Sequence, residues 1–265
     1  MKALKMILGL ALTLSLFSCG NVTEEITIKE DGSGTYHVEY DMIPMMKQMS
    51  FQMIKAFSAL DTTKPAKSDE EIMAKVEEMI WAKFPEKIDS IIDYKEILPD
   101  SILNDKKKMA VIENANGFLR GGKEEGVLMS GMDYRFSNIS ELEAFFELME
   151  KNNPEARKTQ GLNLSGKTSA YTFKKRLISR TSKKSKSKGD EEEKTPEEKA
   201  KEEKMMEEMF GEGTFRTVIN LPKEVESVKG TNVISQEGKK VVLEYSMMDI
   251  MNDKVSTDFE IIMKK

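Results

Sequence analysis

Reactive side chains are sparse in this 265-residue sequence. Gly161-Leu162-Asn163-Leu164-Ser165-Gly166-Lys167-Thr168 fits the phosphate-binding pattern GxxxxGK[ST] letter for letter. In such a loop, backbone amides cradle the phosphates, the lysine meets the terminal phosphate and the hydroxyl binds magnesium. That chemistry needs a buried parallel strand before the loop and a helix after it. Here residues 152–160 are polar and carry Pro154, and Tyr171 to Ile178 reads as a strand. The match is therefore read as fortuitous, and no nucleotide is expected. A shorter likeness at Gly117 to Lys123 fails sooner, because Glu124 replaces the hydroxyl residue. Asp89 with Asp93, or Asp249 with Asp253, could do acid–base work or bind calcium. With 46 acidic residues such pairs are expected on solvated faces, and no EF-hand spacing accompanies them. His37 is the one histidine; it alternates out of phase with Tyr36 and Val38, which puts it on the polar face of a strand. No GxSxG elbow offers it a nucleophile. One cysteine excludes a disulfide scaffold, a multi-cysteine zinc site and a CxxC pair. No catalytic residue, metal ligand or cofactor is assigned, and the chain is read as a non-enzyme.

The methionines are more suggestive. There are 20, and Met42, Met45, Met46, Met49 and Met53 fall on one helix face. Methionine is flexible and polarisable and suits surfaces that accept varied apolar partners. Met45, Met46, Met49 and Met53 are the candidate ligand-binding residues, lining a groove for lipid or another protein's helix. The commoner use of such a stripe is a core, and both readings stay open here.

The chain start carries an address. Lys2 and Lys5 precede an apolar run from Met6 to Phe17. About 12 residues cannot span a bilayer core of roughly 30 Å as a helix, but they suit the apolar region of a signal peptide. The run ends Leu16-Phe17-Ser18-Cys19. This resembles the lipobox of bacterial lipoproteins, where the signal is cleaved before the cysteine. The resemblance implies a diacylglyceryl thioether on Cys19, usually with an acylated amino group such as a palmitoyl amide. Two or three buried acyl chains make a stable anchor. Losing residues 1–18 removes Lys2 and Lys5, which takes the formal charge from −5 to about −7. An acidic chain gives no reason to expect nucleic acid. The expected location is the cell envelope, outside the cytoplasm and anchored by lipid. Gly20 after the cysteine does not look like an inner-membrane retention signal, which favours the outer membrane.

The elements follow from periodicity. Val22 to Met42 reads as a hairpin turning at Asp31-Gly32-Ser33-Gly34. Residues 44–60 read as a helix starting near Pro44. Ser68 with Glu71 forms a capping box before an apolar stripe of Ile72, Val76, Met79, Ile80 and Trp81. Ile88 to Asp105 reads as one or two short helices, and Lys108 to Phe136 as a second hairpin turning at Gly121-Gly122-Lys123. Ser140 with Glu143 reads as another capping box, with Leu142, Phe145, Phe146 and Met149 on the helix's apolar face. Tyr171, Phe173 and Leu177 suggest a strand. Residues 182–208 are almost wholly charged, basic first and then acidic, and read as a disordered or frayed-helix insertion. Phe215 to Leu221, Lys239 to Tyr245 and Val255 to Met263 read as strands. The fold class is α+β: an antiparallel sheet from the N-terminal hairpin and the C-terminal strands, with a helical, Met-rich middle. The organisation is a signal peptide (1–18), then one domain in two parts (19–181 and 209–265) around the 182–208 insertion.

A lipobox, a strand, Asp-Gly-Ser-Gly and a second strand together resemble a group of Bacteroidota lipoproteins. The hairpin, and Leu221-Pro222 with the strands after it, are similar to the LppM-type lipoprotein domain. That likeness implies an α+β module with an apolar-ligand role and no assigned catalysis. Asp61-Thr62-Thr63, Asp89-Ser90-Ile91 and Asp100-Ser101-Ile102 resemble the O-glycosylation sites of such bacteria. The functional expectation is a membrane-anchored binding module for an apolar ligand or an envelope protein partner. The alternative is an assembly lipoprotein acting through 182–208.

Overall fold

The computed structural model describes residues 21–60, 68–93, 100–152, 167–184, 195, 197, 200, 204, 207, 210, 211 and 213–265. The first hairpin forms as its alternation requires. Strands β1 (Val22–Ile28) and β2 (Gly34–Asp41) pair antiparallel, with Ile26 opposite Tyr36. Asp31 Oδ1 accepts from the Ser33 N–H and hydroxyl, and Gly32 takes φ 83°, which closes the turn. Helix α1 (Met42–Leu60) follows directly, and α2 (Asp69–Trp81) packs back on it. The Ser68–Glu71 capping box is present in both directions.

Residues 88–105 depart from the expected helices. Ile88–Asp93 is strand β3, paired with β4 (Ala115–Gly122), and among the described residues between it and Asp105 Asp100–Leu103 (α3) is helical. Three β-branched isoleucines in six residues favour the strand once a partner is available. The second hairpin also begins later than expected. Lys106–Ile112 is helix α4, because Asp105 Oδ1 accepts from the Lys107 and Lys108 N–H groups and caps it. The hairpin proper is β4 and β5 (Val127–Phe136), with Gly121 and Gly122 inside β4 and the turn after them. Helix α5 (Ile139–Asn152) starts earlier than Ser140. Asn138 Oδ1 accepts from the Glu141 N–H, and the Glu141 carboxylate takes the Ser137 N–H. The cap is thus Asn138 with Glu141, two residues ahead of the expected Ser140 with Glu143. Both pairs have cap spacing; Leu142 and Phe145 on the helix's apolar face are fully buried.

The single strand expected near Tyr171 is a hairpin, β6 (Lys167–Lys174) with β7 (Leu177–Lys184). Lys183 and Lys184 therefore belong to a strand, and the charged insertion begins after them. The chain closes with β8 (Thr214–Asn220), β9 (Val225–Gly230), β10 (Val233–Glu237), β11 (Lys240–Ser246), the short α6 (Met247–Met251) and β12 (Phe259–Met263). β9 and β10 have few buried side chains and carried no clear apolar pattern.

Among the described residues there are two sheets. The large one is ordered β10-β11-β8-β1-β2-β5-β4-β3, and the small one β6-β7-β12-β9. The N-terminal hairpin shares its sheet with the C-terminal strands β8, β11 and β10, although β1 and β8 run parallel, with Val22 opposite Phe215 and Ile26 opposite Ile219. The last strand, β12, expected in the same sheet, pairs instead with β7 and β9 in the small one. The α+β class holds, and both sheets are mainly antiparallel. One core lies between the sheets and under α5, built on Ile26, Tyr36, Tyr134, Phe145, Tyr171, Ile178, Ile219 and Ile261. A second lies between α1, α2 and the sheet, built on Ile43, Phe51, Ile72, Val76, Ile80 and Leu128.

Candidate functional site

Period-2 alternation places Val22, Glu24, Ile26 and Ile28 on the inner face of β1, and all four are buried. Glu24 is the exception in charge, and the fold answers it from the opposite sheet. Arg180 Nη1 on β7 donates to Glu24 Oε2 at 2.7 Å, and the Tyr171 hydroxyl on β6 donates to Oε1 at 2.8 Å. The Thr217 hydroxyl, beside Glu24 on β8, donates to Oε2 at 3.1 Å. The guanidinium also lies 5.8 Å from the Tyr171 ring centre and 5.4 Å from that of Phe215. Burial works against the charge on Arg180, but the Glu24 carboxylate together with the surrounding Tyr171, Tyr36 and Tyr245 phenols outweighs it and raises the guanidinium pKa. Burial, with Glu24 adding to it, pushes the Tyr36 and Tyr171 phenols far above their ordinary range. Tyr245 is pushed up to about 12, also mainly by burial. The Tyr36 and Tyr245 hydroxyls and Arg180 Nε have no hydrogen-bond partner among the described residues. The Arg180, Tyr171 and Thr217 donors converge on one carboxylate, so the cluster ties the two sheets together.

On the opposite face of the large sheet, His37 behaves as the alternation indicated. Its Nδ1 is 2.8 Å from Asp133 Oδ1 and its Nε2 is 3.3 Å from Glu39 Oε2. The ring stacks on Phe118 at 5.4 Å. Phe118 fits against the sheet because Gly131 opposes it; a Cβ there would come within 2.4 Å of the ring. Asp89 faces Arg120 at 3.5 Å across the β3–β4 pair. Among the described residues no three His, Cys, Asp or Glu side chains converge as a metal site.

Helix α1 presents a different chemistry. Its inner side buries Ile43 and Phe51, with Met42, Met46 and Ile54 packed beside them. Lys47 and Lys55 reach α2, where they pair with Glu77 at 2.7 Å and Asp69 at 3.0 Å. The remaining side carries Met45, Gln48, Met49, Gln52, Met53, Ala56 and Phe57, none of them charged. Met49 is 51% exposed, Met53 59% and Phe57 66%, and Met45 is half-buried. The four candidate methionines therefore divide: Met46 serves the α1–α2 core, whereas Met45, Met49 and Met53 form an outward row with Phe57 at i, i+4 spacing. Periodicity marked the apolar content of this helix but could not separate its two apolar sides.

The other sequence motifs are placed as follows. Cys19, Asp61 to Thr63 and Gly161 to Gly166 lie outside the described residues. Lys167 and Thr168 open strand β6, where a phosphate-loop lysine would open a helix. Ser90 is exposed on the edge strand β3. Within the charged insertion Glu197, Ala200, Lys204 and Glu207 are helical and exposed, and Phe210 packs against the main core.

No protein-family model matches the chain, and no curated protein matches it. Among solved structures, the NMR structure of the folded domain of Mycobacterium tuberculosis LppM is similar at 10% identity and a TM-score of 0.39. The match covers 94% of this chain and 91% of that one.

Proposed function

We propose that this protein is a lipid-anchored, extracytoplasmic binding module without catalysis of its own, which engages an apolar ligand or partner through the outward side of α1. The observation that carries the reading is the row of Met49, Met53 and Phe57, each more than half exposed on a helix whose other side is already packed. Contiguous exposed apolar side chains on a folded domain mark interaction surfaces. The lipobox at Cys19 supports an anchor a few residues from β1, and with it an envelope location. The test is native mass spectrometry of the exported chain, intact and with Met49→Asp plus Met53→Asp. A discrete adduct on the parent chain that the variant loses, with unchanged circular dichroism, is the expected result. Unfolding of the variant would make these residues core and refute the reading.

A second reading has one observation in its favour. Glu197, Ala200, Lys204 and Glu207 are helical and exposed, three of them charged, and Phe210 after them packs against the main core. That arrangement suits a docking arm for envelope assembly. Deleting 185–208 would then abolish crosslinks to partner proteins in cells, and unchanged crosslinks would refute it.

A further inference from the structure

The start of β1 and the start of α1 share one end of the large sheet. Val22 pairs with Tyr40, and α1 begins at Met42. The Asn21 side chain accepts from the Thr214 N–H and hydroxyl, which fixes the first described residue at that end of the sheet. Cys19 is two residues further back, and two extended residues reach only about 7 Å. Whatever surface holds Cys19 therefore lies beside the first turns of α1.

The outward side of α1 suits such a surface. It is uncharged over four turns, from Met45 to Phe57, in a chain of which 33% is charged. Helix α1 contains two lysines and no carboxylate, and both lysines lean the other way, onto α2. The carboxylates of α2 thus lie across the helix from the methionine row. A helix with one flexible, uncharged apolar side can lie in the interface of a bilayer with that side immersed by about 5–10 Å. A water-facing helix of the same length would carry charges along that side.

We propose that α1 docks on the lipid bilayer itself, with Met45, Met49, Met53 and Phe57 inserted among the headgroups of the leaflet that holds the Cys19 lipid. This rests on the anchored reading given above and names its apolar ligand as the membrane surface. The lipid chain and the helix then act as two linked contacts. The second costs little once the first is made, because the linker keeps its effective concentration high. The body is then held against the membrane at the end of the large sheet where β1 and α1 begin, with the β10–β11 turn at the opposite end.

The test uses the full chain purified from membranes and reconstituted in vesicles of phosphatidylethanolamine and phosphatidylglycerol with brominated acyl chains. An environment-sensitive fluorophore is placed at Met53→Cys, and for comparison at Glu237→Cys at the far end of β10, which is also exposed. Quenching at 53 at least three-fold above that at 237 is expected. Equal quenching at the two positions overturns the proposal. So does a 53–53 crosslink in place of lipid quenching, since a second copy would then cover the row. A second assay removes the anchor: the Cys19→Ala chain is sedimented with the same vesicles, with and without Met49→Asp plus Met53→Asp. A roughly ten-fold loss of bound protein in the doubly substituted chain is expected, and no difference overturns the proposal. Intact mass of the parent chain reports Cys19 lipidation separately, so a failed anchor and a failed α1 contact give different results.

Discussion

Glu24 and Arg180 are the residues at which this fold departs most from a plain apolar core. A carboxylate buried in β1 is tolerated because a guanidinium, a phenol and a threonine hydroxyl from three other strands converge on it. Removing one partner strands the other charge, which costs about 3–5 kcal/mol, whereas replacing both by apolar side chains is often close to neutral. Glu24→Leu should therefore destabilise the protein by about that much, and Glu24→Leu with Arg180→Met should recover most of the loss; urea midpoints check both. The tyrosines around the pair separate by partner. Tyr171→Phe removes a hydrogen bond to a charged group and should cost about 1.5–3 kcal/mol. Tyr36→Phe removes a hydroxyl that has no described partner, and should leave stability unchanged or raise it by about 1 kcal/mol. The buried phenols also set an alkaline limit. Their folded pKa values lie above the ordinary value near 10, so their contribution is complete below about pH 10 and is lost as pH rises through the folded values, beginning with Tyr245 near 12. Phenolate absorbance should accordingly rise together with loss of circular dichroism between about pH 10 and 12. A phenolate signal complete at pH 10 with the fold intact would contradict the burial. None of this cluster was legible in the sequence. Glu24 alternates with Val22 and Ile26 as an inward residue, but Arg180 lies 156 positions away and only the second sheet brings them together.

At the scale of elements, the locally encoded features were readable and those set by distant partners were not. The first hairpin, the Ser68–Glu71 cap and the α2 stripe of Ile72, Val76 and Ile80 depend on residues within a few positions of each other. β3 is a strand because β4 pairs with it, and its exposed Ile91 has no helical or core pattern to announce it. The α5 cap falls on Asn138 with Glu141, although Ser140 with Glu143 two residues later has the same spacing and is the pair expected from the sequence. Helix α1 shows the same limit in the candidate site: its methionines recur at helical spacing, but which row is packed depends on α2 and Leu128. The two sides should respond differently to charge. Met49→Asp and Met53→Asp each should cost no more than about 0.5 kcal/mol, as for ordinary surface positions. Phe51→Asp, buried against α2, should unfold the α1–α2 hairpin or the whole domain, since burying an unpaired carboxylate there is not compensated. Thermal melts of the three variants distinguish these outcomes.

At the scale of the molecule, the first strand β1 pairs parallel with the distant β8, and the large sheet cannot close until β8 is made. Long-range pairing of this kind makes folding slow relative to helical proteins of similar size. The same closure fixes Asn21 against Thr214 and so sets where the chain preceding it can go. The α+β class and the sharing of one sheet by the N-terminal hairpin and strands near the C-terminus were legible from alternating strands at both termini, but the placement of β12 in the other sheet was not. The small sheet was not, because β9 has mostly exposed side chains and β6 and β7 blend into charged sequence. The account of function depends on Cys19 holding the body at a membrane. The measurement that tests this most directly is the intact mass of the full-length protein recovered from cell membranes. The predicted mass is that of residues 19–265 plus a diacylglyceryl group, with or without a further acyl chain, and it should collapse to the uncleaved chain in Cys19→Ala. A mass equal to residues 1–265, or to a cleaved chain without lipid, would contradict it.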